Sequence, residues 1–157
     1  MRCSFSIPVG PFSVNRMHSR DKRHKTAVYK QWERSILEEL NRPLIQQQLK
    51  KFRESFVEGQ HEVWLILRSF YPKAKLINQQ NDISSRAEDL TNWEKPLVDL
   101  LFLPKFHVQP FPYGAPNCNT DDKRITKMKS SKEVSPDDNS SVQVTLLVRP
   151  ITLEARP

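Results

Sequence analysis

Glycine is nearly absent: Gly10, Gly59 and Gly114 are the 3 glycines of a 157-residue chain, and they stand far apart. A GxGxxG turn or a Walker loop, which brings backbone amides close to phosphates, cannot be assembled from them. Nucleotide-binding folds in their usual forms are thereby excluded. Cysteine is as rare. Cys3 and Cys118 supply neither a four-cysteine zinc site nor a disulfide framework, and the 4 histidines show no HExxH or paired spacing. Long apolar runs are missing too. No window approaches the roughly 18 apolar residues of a membrane span, and MRCSFSIPVG carries no apolar stretch long enough for a signal peptide. These absences predict a cytoplasmic protein with free thiols and no membrane partner.

Positive charge is abundant. Lys and Arg number 25 against 18 Asp and Glu, a formal net charge of +7, which suggests a polyanionic partner. Apolar residues make up 37 % of the chain, below the usual ~45–50 %, so part of it should lie outside the core. The length suits one domain with one core, and residues 1–157 are read as such.

Residues 3–9 (CSFSIPV) alternate as a first strand ending at Pro8 or Pro11. A helix is predicted from about Thr26, with Val28, Trp32, Ile36 and Leu40 as its apolar stripe, until Pro43 ends or kinks it. Ile45, Leu49, Phe52 and Phe56 mark a second helix, with Gly59 as its stop. EVWLILRSF (62–70) reads as the central strand, and Trp32, Trp64 and Trp93 as core residues. DLTNWEKPLVDLLF (89–102) has helical spacing, with Thr91 and Glu94 placed as a capping box. Four prolines make 103–120 a long loop, and SPDDNSS (135–141) turns the basic segment 123–132 into SVQVTLLVRP as a closing antiparallel hairpin. The fold class that follows is α/β (α+β): a mixed sheet flanked by helices.

Chemistry concentrates on the helix at 89–102. Asn92, Lys95 and Asp99 are spaced i, i+3, i+7 and share one face, while Trp93, Leu97 and Leu101 occupy another. Asp89 precedes them, and Asp121 and Asp122 open the basic segment. Carboxylates brought together there could hold Mg²⁺, which favours carboxylate oxygens, water and phosphate. A nearby lysine could stabilise charge developing on a phosphate. By spacing alone, the commoner reading of the same residues is a solvated helix face and a turn.

These positions, in order, resemble the RusA family of Holliday junction resolvases. That family's pattern is roughly DxDN, a Lys three residues after the Asn, an Asp four further on, and a double Asp at the next strand. Asp89, Asn92, Lys95, Asp99 and Asp121-Asp122 match it, as does the N-terminal segment from Pro11 to Arg16. The resemblance covers that first strand, about 62–102, and 121–149. It implies a RusA-like fold and a homodimeric, Mg²⁺-dependent endonuclease that cuts four-way DNA junctions by paired symmetric nicks in recombination and repair. Asp89 and Asp122 would then be catalytic and metal ligands with Asp99 and Asp121 as further ligands, and Lys95 a catalytic cation. Thr91 stands where the family's second aspartate usually does, 103–120 is longer than the family's connection, and 41–60 looks like an added helix. The alternative is a catalytically impaired protein that binds branched DNA. A basic interaction module is a third reading, which explains the charge but not the spacing.

DNA contact is expected from Asn15, Arg16, Asn92, Lys123, Lys127 and Lys129, and more widely from the basic stretch 16–34. Alternation would set Lys123, Lys127 and Lys129 on one strand face. Phe106, His107, Phe111 and Tyr113 either stack on unpaired bases or pack their loop down. Cys118 has no basic partner fixed by spacing and reads as incidental.

Overall fold

The computed structural model describes residues 1–18, 24–84, 90–102, 117–118 and 120–152. Strand β1 (Arg2–Ile7) is followed by a 3-10 turn (Val14–Arg16), helices α1 (Ala27–Leu40) and α2 (Pro43–Ser55), and strand β2 (His61–Tyr71). Short α3 (Lys73–Leu76), α4 (Leu90–Phe102), a second 3-10 turn (Asp122–Arg124), β3 (Ile125–Val134) and β4 (Ser141–Pro150) complete the order. The expected segment 103–120 falls mostly outside the described residues.

Local chemistry accounts for most boundaries. Thr26 caps α1 by accepting the Tyr29 amide, Pro43 occupies the first turn of α2 where no amide is needed, and Gly59 takes φ +81 in the turn into β2. Gly10 matters for a different reason: a Cβ there would meet Ser140 Cβ at 2.9 Å. In α1 the buried stripe is Tyr29, Trp32, Ile36 and Leu40, whereas Val28 is exposed. The aromatic ring displaces the smaller valine because Phe12 packs against both Tyr29 and Trp32, with centroids 5.5 and 5.6 Å away. Helix α4 begins at Leu90, so Thr91, expected at its N-cap, lies inside the helix. The Glu94 carboxylate accepts a hydrogen bond from Ser130 Oγ on β3.

The four strands form one mixed sheet in the order β1-β4-β2-β3, with β4 antiparallel to both neighbours and β2 parallel to β3. The fold class expected from sequence is thus found, but the closing hairpin is not. β4 inserts between β1 and β2, and β3 goes to the edge. Composition explains the exchange: β4 carries Val142, Val144, Leu146 and Val148 on its core face, while β3 is rich in lysine and serine, as suits an edge strand.

Helices α1, α2 and α4 lie over one face. Cys3, Phe5 and Ile7 of β1, Val63, Leu65 and Leu67 of β2 and the four β4 residues meet Trp32, Leu49, Phe52, Trp93, Leu97 and Leu101 in a single core. The alternate positions of the same strands face away from the helices. Trp64 is one of them, half-buried on that other face and not in the core, because Val63 and Leu65 take the inward positions. Among the described residues, no helix is long and apolar enough to cross a membrane.

Candidate functional site

Helix α4 is held by burial of Trp93, Leu97, Leu100 and Leu101, which fixes the direction of its polar residues. It packs against both 3-10 turns and β3. Lys95 and Asp99, one helical turn apart, therefore project toward the start of β3, and their side chains pair at 3.0 Å. Asp99 is only 8 % exposed, whereas the Lys95 side chain is 63 % exposed. The lysine remains largely in water, so the pair itself stabilises the helix weakly, by roughly 0.3–0.5 kcal/mol.

The second 3-10 turn brings Asp122 to the same place. Lys95, Asp99 and Asp122 line one cleft of about 330 Å³, together with Glu94, Thr126 and Lys127. Glu94 is 9 % exposed and held by Ser130. It was missed by the spacing argument, although its position three and seven residues before Leu97 and Leu101, at the border of the apolar stripe, was the available signal. Asp99 also faces the α1 layer. Burial, then the Glu33 and Asp99 carboxylates, push the Tyr29 phenol up from its ordinary value.

Asp121 sits differently. Its Oδ1 accepts the Lys123 amide at 3.0 Å and its Oδ2 pairs with Lys123 Nζ at 3.1 Å, so it caps the turn and lies outside the cleft lining. The Lys123 amide, followed by the Lys123 side chain, holds its carboxyl below the usual value. Lys123 therefore belongs to the turn and does not share a strand face with Lys127 and Lys129, which both lie on β3. A bulge at Val63-Trp64 sets Lys127 opposite Trp64 and Lys129 opposite Ile66.

Asn15 and Arg16 lie in the first 3-10 turn, against α4, with the Arg16 guanidinium 5.2 Å from the Phe12 ring centroid. Asn92 is half-buried one turn before Pro96. Asp89 is outside the described residues, as are Phe106, His107, Phe111 and Tyr113. Cys118 is fully buried, its amide donating to Leu101 O at 2.7 Å, and burial raises its thiol well above the ordinary value. A thiol so placed is not a nucleophile.

The cleft offers carboxylate and hydroxyl oxygens, from Glu94, Asp99, Asp122 and Thr126, and neither thiol nor imidazole. That donor chemistry fits a hard cation such as Mg²⁺. Among the described residues no three His, Cys, Asp or Glu side chains group closely enough to hold a metal ion, so water and phosphate would have to supply most of the shell, as is usual for Mg²⁺. A larger cleft of about 910 Å³ is lined by the side-chain amides of 78–81 with Lys73, Ser84 and Asp138, and contains none of the residues singled out by spacing. The chain matches no model of a known protein family and no curated protein.

Proposed function

We propose that the protein is a cytoplasmic, Mg²⁺-dependent endonuclease for branched DNA, of the RusA type, acting as a homodimer on four-way junctions in recombination and repair. The observation that carries this reading is the shared cleft, which Lys95 and Asp99 of α4 line together with Asp122 and Lys127 from a later segment of the chain. Asp99 and Asp122, with Asp89 preceding α4, would hold the ion, which when bound supplies Lewis-acid polarisation of a phosphate and an acidified water. Lys95, its ammonium mostly solvated, is placed to stabilise charge on a phosphate oxygen. Asn15, Arg16 and Asn92 around α4, and Lys123, Lys127 and Lys129 around the second turn and β3, would take the flanking phosphates. A two-fold dimer suits a two-fold junction, one site per protomer. Thr91, standing where a second aspartate would complete the DxDN pattern, favours the other reading, a binder of branched DNA with impaired catalysis.

A synthetic four-way junction incubated with protein and MgCl₂ separates the two. Paired symmetric nicks are expected, abolished by Asp122→Asn and by Asp89→Asn and reduced about 100-fold or more by Lys95→Ala. Binding without cleavage in Mg²⁺ or Mn²⁺ would leave only the binder, and absence of both would overturn the DNA reading.

A further inference from the structure

The face of the sheet turned away from α1, α2 and α4 has a composition of its own. Strand pairing sets Arg2, Leu147, Trp64 and Lys127 in one row across all four strands, with Ser4, Thr145, Ile66 and Lys129 in the next. At ~4.8 Å per strand spacing, the first row spans about 14 Å. Lys127 Nζ and the Arg149 guanidinium, from the strands on either side, each lie 4.3 Å from the Trp64 ring centroid. Trp64 thus holds two cations in place through its ring.

Arg2, Lys127, Lys129 and Arg149 form no ion pair among the described residues. The face carries two acids as well: Glu133 binds Arg68, and Glu62, opposite Arg149 in the β2–β4 register, accepts from the Trp64 indole at 2.8 Å and from Thr126 at 2.7 Å, so the cations outnumber the acids around Trp64. Between the cations lies a shallow depression of about 130 Å³, lined by Trp64, Ile66, Leu147, Lys127 and Lys129.

The geometry points to single-stranded nucleic acid as the occupant of this face, phosphates on the four cations and a base edge in the apolar depression. Cations interleaved with an aromatic and aliphatic floor form a surface that tolerates any base sequence. A duplex hides its bases and would leave the apolar floor unused. A second copy of the chain, related by a two-fold axis, would set these unpaired cations against their own kind. Lys127 lines both the depression and the carboxylate cleft at the β3 edge, so a strand leaving the cleft meets this face directly.

The test is fluorescence anisotropy in EDTA, where cleavage does not enter, with fluorescein-labelled dT20 and a 20-base-pair duplex over a series of salt concentrations. Wild-type protein is expected to bind dT20. The Arg2→Gln/Arg149→Gln variant is expected to bind it about tenfold more weakly at low salt, with the salt slope reduced by about 1.4 for the two lost phosphate contacts. Trp64→Leu, checked for folding by circular dichroism, should lower dT20 affinity about tenfold and leave the duplex unaffected. Unchanged dT20 affinity and slope in the charge variant would overturn the proposal. So would a dimer that Arg149→Gln dissociates in sedimentation, since the face would then be covered by a second copy. Either result leaves the endonuclease reading, which nicking tests separately, where it stood.

Discussion

The two faces of one sheet differ in what they can do. On the helix side Leu65, Leu67, Val144 and Leu146 are fully buried in one core with Trp93, Leu97 and Leu101. One residue along the same strands, Trp64, Ile66 and Leu147 are only half-buried and are bordered by Lys127, Lys129 and Arg149. Both faces use aromatic and aliphatic side chains, so residue type does not distinguish them. Position in the pleat does, and with it the source of the free energy: on one face burial stabilises the fold, while on the other the same kind of side chain keeps charged groups in place at the surface.

Truncating the two tryptophans separates these roles most widely. Trp93→Ala, at 0 % exposure, should destabilise the protein by about 3–5 kcal/mol in urea unfolding. Trp64→Ala should cost about 1 kcal/mol, the scale of its cation–ring contacts. Equal losses would mean that the open face is itself part of the core. Two neighbouring serines of β3 repeat the contrast on a smaller scale. Ser130 points inward and donates to the buried Glu94, whereas Ser131 bonds Glu133 at 3.0 Å on the open side. Ser130→Ala should cost about 1–3 kcal/mol by leaving a buried carboxylate oxygen unpaired, and Ser131→Ala less than about 0.5 kcal/mol. If both serines proved neutral, Glu94 would have to be solvated, and the cleft wetter than its burial indicates.

What the sequence made legible follows the range of the interactions involved. The start of α1 near Thr26, its end before Pro43 and the shared face of Lys95 and Asp99 depend on residues within one or two helical turns, and spacing reveals them. The side on which Trp64 lies was hidden because EVWLILRSF is apolar on both faces of its strand, which erases the period of two. The placement of β4 depends on pairing β1 with a strand at the opposite end of the chain, in preference to the local hairpin, and no short-range signal encodes that choice. The cleft divides in the same way. Its α4 half is local, but Glu94 meets Ser130 across 36 residues, and Asp122 reaches the cleft only because its turn packs on α4.

The smallest effect, and the one with a pH signature, belongs to the open face. Arg68 binds Glu133 through two nitrogens, at 2.6 and 2.5 Å, with a third bond to Gln143 at 3.1 Å. The guanidinium holds the Glu133 carboxyl below its ordinary value, through its hydrogen bonds first and its charge second. A carboxyl whose folded pKa is depressed contributes stability above its unfolded pKa and loses it as pH falls through the folded one. Both side chains are partly solvated, so solvent screening keeps the contribution below that of the buried Glu94 contact. Glu133→Gln should therefore cost less than Ser130→Ala near neutral pH, and the difference from wild type should shrink between neutral pH and about pH 2, as the depressed carboxyl takes up its proton. Urea unfolding at the two pH values measures this directly. A difference that persisted in acid would show that Glu133 acts through packing against its strand neighbours, and the open face would then owe less to charge than its array of cations indicates.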